Sequence, residues 1–259
     1  MRPGQIASET AGRMVIEDLT KKFDTKQGRE VVFENIDVEI EPGSFVTLIG
    51  KSGSGKSTLM NIISGVLEPT SGSVRFETET GEPAEIGHVF QSSRLLPWDT
   101  CTRNIELVHE NNPDYTDALA QEYLNLVGLS DHYDKYPTQL SGGQEQRVGI
   151  ARALSIDPEI LLMDEPFSSL DEITAEELRT QLIDIWQELN KTVFFVTHDI
   201  NEAIQLSDRI LMLGGGDVYG DVEVPLKRPR DPGSAEFLQF RQRAIKTFHS
   251  INEASTNGN

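Results

Sequence analysis

Four short apolar runs stand out along the chain, at residues 45–49, 160–163, 193–196 and 210–213. Each run is bounded by polar residues, glycine or proline, and runs of this length rich in Val, Ile, Leu and Phe are typical of strands buried on both faces. Between the second and third runs, apolar side chains over residues 173–189 recur every three or four positions, which predicts a helix with one buried face. Strands that alternate with helices favour an α/β fold with a largely parallel sheet.

Two stretches depart from this alternation. Over residues 33–40, apolar and polar side chains alternate, which predicts half-buried strands of a sheet edge. From residue 93 to about residue 150 there is no clear buried strand, while residues 117–127 and 144–154 have helical patterns. We therefore expect an α-helical insertion in the α/β core.

These patterns divide the chain into four parts. Residues 1–12 are polar, with two glycines, and are predicted to be flexible. Residues 13–92 and 151–225 form the predicted core, residues 93–150 form the helical insertion, and residues 226–259 form a C-terminal tail. The tail contains a Pro- and Arg-rich segment and a predicted helix near residues 235–248.

The composition narrows the classes of function. The chain has 259 residues, and 23 Lys and Arg against 42 Asp and Glu give a formal net charge of −19. Such a charge opposes broad binding to the phosphate backbone of nucleic acids, so we expect no nucleic-acid partner. No apolar run reaches the roughly 18 residues of a membrane span, and the first residues lack the apolar core of a secretory signal. Together with the lone Cys101, these features predict a protein of the reducing cytoplasm.

The acidic residues are distributed along the whole sequence, with groups at residues 34–41, 77–85 and 171–177. This distribution predicts an acidic surface on a folded protein rather than an acidic tail. One hypothesis is that the protein works in a high-salt cytoplasm, where counterions screen the repulsion between carboxylates. The alternative is an acidic protein from an ordinary cell.

A glycine-rich motif follows the first apolar run. Residues 50–57 read Gly-Lys-Ser-Gly-Ser-Gly-Lys-Ser and match the pattern G-x-x-x-x-G-K-[ST] between a strand and a helix. In such a loop, backbone N–H groups and a helix N-terminus bind phosphate, Lys56 reaches the β- and γ-phosphates, and Ser57 binds Mg²⁺. The expected contacts are Gly50, Lys51, Ser52, Gly53, Ser54, Gly55, Lys56, Ser57 and Thr58. The motif predicts binding of a nucleoside triphosphate with Mg²⁺.

Two carboxylates follow the second apolar run. Asp164 stands at the predicted strand end, where a carboxylate can hold a hydrated Mg²⁺. Glu165 comes next and can orient the attacking water or accept its proton. The alternative is that this Asp-Glu pair caps the next helix. Beside a phosphate-binding loop, the pair favours hydrolysis of the nucleotide over binding alone.

A third motif, Leu-Ser-Gly-Gly-Gln, occupies residues 140–144. Its Ser-Gly-Gly sequence predicts a helix N-terminus near Gln144, with backbone N–H groups that can bind an anion. In isolation, a plain helix cap would be the better explanation.

The order of these three motifs resembles that of the ATP-binding subunits of ATP-binding cassette (ABC) transporters, over roughly residues 13–225. The resemblance implies a P-loop NTPase fold with a RecA-like core, an antiparallel β edge and an inserted α-helical subdomain. It also implies that ATP and Mg²⁺ bind between two copies, which are expected to form a head-to-tail homodimer. In that dimer, ATP on one copy would contact Ser141, Gly142, Gly143 and Gln144 of the other.

The same resemblance assigns roles to four further residues. Gln91 would contact Mg²⁺ or the attacking water and respond to the membrane partner, and His198 would contact the γ-phosphate. Asp171, in the loop after Glu165, would belong to the nucleotide-binding residues. Phe23 stands where the family usually has a tyrosine that stacks on adenine, and a phenylalanine keeps the ring. A core aromatic in an edge strand is the alternative for Phe23.

Residues 90–98 and 226–230 are similar to segments of importers of nitrate, sulfonate and taurine. The resemblance implies an apolar groove for a membrane permease, formed by Leu95, Leu96 and Trp98. The alternative is that these residues pack inside the helical insertion. The resemblance also implies a subunit at the cytoplasmic face of the membrane, which serves a permease and, indirectly, an extracytoplasmic solute-binding protein. An exporter or lipoprotein-release system, or a soluble ABC ATPase of DNA repair or translation, are the alternatives.

The high-salt hypothesis makes a direct prediction. If the acidic surface is an adaptation to a high-salt cytoplasm, ATPase activity of the purified chain will be greater in molar KCl than at low salt, because counterions stabilise the compact anion. Activity should be followed across a KCl series together with thermal unfolding. Loss of activity in molar KCl would contradict the hypothesis.

Overall fold

A computed structural model describes residues 10–26, 28–78, 80–112 and 115–256. In chain order, the described strands are β1 (Gly12–Thr25), β2 (Gly28–Ile40), β3 (Phe45–Gly50), β4 (Ser71–Thr78), β5 (Ile86–Val89), β6 (Ile160–Asp164), β7 (Thr192–Thr197), β8 (Arg209–Gly214) and β9 (Asp217–Glu223). The α-helices are α1 (Lys56–Ile63), α2 (Cys101–Glu106), α3 (Asp117–Leu126), α4 (Gly142–Ser155), α5 (Glu172–Leu189), α6 (Ile200–Leu206) and α7 (Ala235–Thr256).

The chain forms two compact units. Unit 1 contains Thr78–Thr192 and the residues up to Gly12, and unit 2 contains Arg13–Glu77 and the residues from Val193 onward. The predicted helical insertion at residues 93–150 lies within unit 1. Of the predicted flexible segment 1–12, residues 1–9 lie outside the described residues, whereas Ala11 is buried and Gly12 begins β1.

The predicted alternating segment forms part of an antiparallel sheet in unit 2. The strand order of this sheet is β2-β1-β4, and β1 and β2 are antiparallel, with Ile16 opposite Val38. The four apolar residues of the alternating pattern are all buried, namely Phe33, Ile36, Val38 and Ile40. From Ile36 to Ile40, one face of β2 packs into the core, as the period of two predicts. Phe33 is also buried although it is three residues from Ile36, because the pairing of β1 and β2 shifts register between these two positions, where Asn35 has φ +53°.

A second set of strands in unit 2 has the order β7-β3-β8-β9. β3 is parallel to both β7 and β8, and β9 runs antiparallel to β8. Every residue of β3 and β7 is buried, as their continuous apolar runs predict. β3 is therefore an internal strand, and its carboxyl end leads directly into the glycine-rich motif.

The C-terminal tail contributes to the core of unit 2. Helix α7 begins at Ala235, as predicted, and extends to Thr256, beyond the predicted end near residue 248. It packs with α6 and the neighbouring strands in a cluster that consists of Ile49, Ala203, Ile204, Ile210, Met212, Val224, Phe237, Phe240 and Ala244. The cluster includes Ile49, the residue before Gly50, so the tail helps to support the strand that ends at the glycine-rich motif.

In unit 1, β5 and β6 are parallel, with Val89 opposite Met163. Helix α4 begins at Gly142, two residues before the predicted start, because Ser141 rather than a later residue caps it. Helix α5 buries the predicted face, except that Ile173, in its first turn, is 76% exposed.

None of the described helices is both long and apolar enough to cross a membrane.

Candidate nucleotide-binding site

The glycine-rich loop curls around the amino group of Lys56. Lys56 is buried, and its Nζ donates hydrogen bonds to the carbonyl oxygens of Gly50 at 2.9 Å and Lys51 at 3.3 Å. These bonds join the first turn of α1 to the start of the loop. The lysine is therefore held on the inner side of the loop, where the motif requires a cation for phosphate.

Three features of the loop favour binding of an anion. Gly55 is the N-cap of α1 with φ +100°, and it has no side chain to bond the N–H groups of the first turn. Gly53 has φ +78°, with no atom within 4 Å of the position of a Cβ. Ser54 Oγ is buried without a hydrogen-bond partner among the described residues. A helix N-terminus without a side-chain cap, preceded by a loop with an unpaired buried hydroxyl, fits a bound phosphate group.

A cleft of about 330 Å³ extends from this loop to the β1–β2 hairpin. Phe23, Glu30, Val31 and Val32 line it together with residues of the loop from Gly53 to Thr58. Phe23 is 40% exposed, and the Lys21 ammonium group lies 4.8 Å from its ring centroid. The alternative that Phe23 is a core aromatic is therefore wrong, and its ring is accessible to a ligand base.

His198 lies at the same edge of unit 2 as the loop. It follows Thr197, the last residue of β7, and Thr197 is paired with Ile49 of the parallel strand β3. The carboxyl ends of adjacent parallel strands share one edge of a sheet, and ligands of α/β folds bind there. The structure thus brings the exposed His198 beside the strand that ends at Gly50.

In unit 1, the strand-end carboxylates are followed by a tight turn. Asp164 ends β6, and Glu165 has φ +43°, a left-handed conformation that is uncommon for a residue with a side chain. The Glu165 carbonyl accepts hydrogen bonds from the backbone N–H of Ser168 at 3.2 Å and from its hydroxyl at 2.9 Å. The turn therefore holds Glu165 in a defined backbone conformation immediately after the strand.

Gln91 is joined to this turn through Ser168. Its Nε2 donates to Ser168 Oγ at 3.1 Å, and both residues lie beyond the ends of the paired strands β5 and β6. Sequence reasoning missed Ser168. The signal was present, because a serine three residues after Glu165 can bond the Glu165 carbonyl of the turn.

The predicted magnesium ligands are oxygen donors, which this hard cation prefers. They are the Ser57 hydroxyl, the Asp164 carboxylate at its half-buried strand end and the Gln91 amide. Within the described part of the chain there is no group of three or more His, Cys, Asp and Glu side chains that could hold a metal. Mg²⁺ keeps several waters and uses substrate phosphates as ligands, so a single protein carboxylate such as that of Asp164 suits it.

Ser141 and Gln144 form a reciprocal cap at the start of α4. Ser141 Oγ accepts from the Gln144 N–H at 3.3 Å, and Gln144 Oε1 accepts from the Ser141 N–H at 3.0 Å. His132 Nε2 lies 3.0 Å from Gln144 Nε2. The cap expected from the sequence is therefore present, and contact of this segment with a nucleotide of a second copy stays a prediction.

Helix α4 approaches helix α5 closely at Gly143. A Cβ added at Gly143 would lie 2.4 Å from Thr174 Cγ2, whereas one at Gly142 would lie 3.6 Å from Leu170 Cδ2. Thr174 cannot easily turn away, because its Oγ1 donates to Asp171 Oδ2 at 2.8 Å. Asp171 also accepts from the Thr174 N–H as the N-cap of α5, and these donors lower its carboxyl pKa.

The residues of the predicted permease groove differ in exposure. Trp98 is 69% exposed, so the alternative that it packs inside the helical insertion is wrong. Leu95 and Leu96 are half-buried, and the Leu96 backbone is bonded to Asn104 through its N–H at 2.7 Å and its carbonyl at 3.1 Å. Asn104, fully buried in α2, thus holds the segment that presents the Trp98 ring.

Comparison with known proteins gives a consistent result. Residues 33–168 match the family model described as ABC transporter. The chain is 43% identical to a bicarbonate transport ATP-binding protein of Synechocystis sp., over 86% of this chain and 83% of the relative. It is 42% identical to a nitrate import ATP-binding protein of Synechococcus elongatus, over 94% of each chain. It is 39% identical to an aliphatic sulfonates import ATP-binding protein of Bacillus thuringiensis, over 90% of this chain and 94% of the relative.

A solved structure has the same fold. It is an ATP-binding cassette captured as a dimer in a post-hydrolysis state with ADP and Pi bound. The TM-score is 0.72 at 34% identity, and the match covers 83% of this chain and all of the other. The predicted P-loop NTPase fold is thereby confirmed.

The contact between α4 and α5 makes Gly143 sensitive to substitution. Gly143→Ala should lower the free energy of unfolding by about 1–3 kcal/mol, because the new methyl group overlaps the Thr174 methyl. Gly142→Ala is the matched control, with ordinary van der Waals contact and little expected change. Chemical denaturation checks both variants.

A second variant tests the stated cause. Thr174→Ser removes the methyl group but keeps the hydroxyl bonded to Asp171, so adding it to Gly143→Ala should restore most of the lost stability. If the double variant is as unstable as Gly143→Ala alone, the clash with Thr174 is not the cause.

Proposed function

The chain belongs to the family of ABC transporter ATP-binding proteins, and from that premise we propose that it hydrolyses ATP to drive import of a small anion. The energy would pass to a separate membrane permease. The observation that carries the proposal is the glycine-rich loop closed around Lys56, with His198 at the same sheet edge. The strand-end pair Asp164 and Glu165 in the same chain supports hydrolysis.

The relatives support the class of solute. Their names specify import or transport of nitrate, bicarbonate and aliphatic sulfonates, all of them small anions. Taurine, expected from the sequence, is itself a sulfonate. We propose a solute of this class, brought by an extracytoplasmic binding protein to the permease.

In the proposed mechanism, hydrolysis depends on positioning and charge neutralisation. Lys56 and the loop N–H groups hold the phosphates, Glu165 orients the attacking water and accepts its proton, and His198 donates a hydrogen bond to the γ-phosphate. Gln91, bonded to the Glu165 turn through Ser168, contacts the attacking water or Mg²⁺. Mg²⁺, held by Ser57, Asp164 and Gln91, would neutralise charge on the phosphate oxygens.

Two copies would assemble head to tail at the cytoplasmic face of the membrane. Each ATP would lie between the glycine-rich loop of one copy and Ser141–Gln144 of the other. The dimeric state of the solved relative with ADP and Pi supports this arrangement. The proposed contact with the permease is the exposed Trp98 ring, together with Leu95 and Leu96, which precede it in the sequence.

Replacement of Glu165 tests the catalytic assignment. Glu165→Gln should keep ATP binding but lower kcat by at least about 100-fold, because the amide cannot accept the proton of the attacking water. Lys56→Ala should instead weaken ATP binding itself. The matched control is Glu188→Gln, an exposed carboxylate of α5, which should keep normal activity. Wild-type hydrolysis by Glu165→Gln would refute the assignment.

Mixing two inactive variants tests the composite site. Lys56→Ala lacks the loop cation and Ser141→Arg blocks the partner-facing segment, so each alone should be nearly inactive. In a mixed head-to-tail dimer, the loop of the Ser141→Arg copy meets the intact segment of the Lys56→Ala copy, and one working site forms. ATPase activity of the mixture should therefore exceed the sum of the separate activities. A simple sum would count against head-to-tail assembly.

A further inference from the structure

The segment between β9 and α7 places two arginines at the carboxyl end of helix α6. Arg230 is only 8% exposed, and its Nη1 donates to the carbonyl oxygens of Ile204 and Ser207, each at 2.6 Å. Arg228 Nη2 donates to the carbonyl of Leu206, the last residue of α6. The last carbonyls of a helix have no partners within it. Here two guanidinium groups from the tail supply partners to three carbonyls at or next to the helix end.

Arg228 and Arg230, which we call the arginine clamp, are also bonded to groups outside α6. Arg230 Nε donates to the Leu226 carbonyl at 2.8 Å and Nη2 to the Val224 carbonyl at 3.3 Å. Arg228 Nη1 forms an ion pair with Asp208 at 2.6 Å. Burial lowers the pKa of Arg230 to about 10, so the guanidinium stays charged at neutral pH and faces the negative end of the α6 dipole.

Helix α6 has seven residues and is also anchored at its amino end. Asp199 caps it by accepting the Asn201 N–H at 2.7 Å, and the Asp199 N–H donates to Thr197 Oγ1 at 3.0 Å. The Thr197 hydroxyl donates to Glu202 at 2.6 Å within the buried interior. His198 lies between Thr197 and Asp199. Because α6 has only seven residues between these two sets of anchoring bonds, we expect a shift of its carboxyl end to move its amino end as well.

We propose that Arg230, with Arg228, is a positioning residue for ATP hydrolysis, which fixes the carboxyl end of α6 and thereby the place of His198 at the sheet edge. This inference rests on the proposed function, in which His198 contacts the γ-phosphate. It assigns the Pro- and Arg-rich segment of the tail a role in turnover. Without the guanidinium, the carbonyls of Ile204 and Ser207 lose their buried donor and the last turn of α6 moves.

Arg230→Lys is the central variant, because it keeps the charge but cannot reach the same four carbonyls with one ammonium group. We expect kcat for ATP hydrolysis to fall about 10-fold, while ATP affinity, measured by binding to a nonhydrolysable ATP analogue, changes less than about 2-fold. Arg209→Lys is the matched control. Arg209 also bonds a backbone carbonyl, that of Glu39, and forms an ion pair with Asp221 of β9, so its replacement should leave kcat unchanged.

A double-variant cycle separates positioning from general destabilisation. If Arg230 acts through His198, Arg230→Lys combined with His198→Ala will be no slower than His198→Ala alone. Multiplied losses in kcat would overturn the inference and leave the role of His198 intact. Normal activity of His198→Ala would instead refute that role in the proposed function, and the inference with it.

Thermal unfolding should accompany each measurement. If Arg230→Lys does not fold, Arg228→Lys supplies the same cycle, since it removes the single bond to the Leu206 carbonyl. A smaller loss of kcat that vanishes in the His198→Ala background supports the inference. An unchanged kcat in a folded Arg228→Lys variant, or a loss that multiplies with that of His198→Ala, overturns it.

Discussion

Burial of β3 between two parallel neighbours constrains the chain that follows it. All six residues of the strand are buried, and it ends at Gly50, where the backbone must turn sharply into the phosphate-binding loop. A Cβ at Gly50 would lie 2.5 Å from Ser54 Oγ and 2.6 Å from the Leu213 carbonyl of β8. A glycine is therefore required there by the neighbouring strand as well as by the loop. The position of β3 therefore sets the position of the loop. Because the loop lines the cleft together with Phe23, β3 also sets the position of the cleft.

Cationic side chains bonded to backbone carbonyls recur through both units. In unit 2, Lys56 bonds the start of its own loop, and Arg230 bonds the end of α6. In unit 1, Arg152 of α4 donates to the Ser93 carbonyl at 2.7 Å, just after Gln91. The bonds of Lys56 and Arg230 satisfy carbonyls at the end of a regular element, and that of Arg152 satisfies a carbonyl of the irregular segment between β5 and α2. The chain carries only 23 Lys and Arg. Several of the Lys and Arg side chains therefore stabilise the backbone rather than extend into solvent, and the surface is strongly acidic.

Within unit 1, hydrogen bonds of glutamine side chains connect segments that lie far apart in sequence. Gln91 reaches the Glu165 turn through Ser168, and Gln146 of α4 donates to the Phe90 carbonyl at 3.1 Å. The segment that leads from β5 to Trp98 is thus bonded to the helix that Ser141 caps. Within unit 1, a displacement of the Trp98 region by a partner would act on a set of residues already linked by hydrogen bonds. These bonds lie between the proposed permease contact and the residues around Glu165.

The sequence by itself determined the features that depend on local chemistry. The buried strands, the alternating face of β2, the loop around Lys56 and the cap at Ser141 each arise within a few consecutive residues, where periodicity and residue type suffice. Only the tertiary structure decided the pairing of Ser168 with Gln91, the exposure of Phe23 and the clamp of Arg230 on α6. These depend on which distant backbone group a side chain meets after folding. Short-range patterns carry no information about that partner, because it is set by the packing of whole elements.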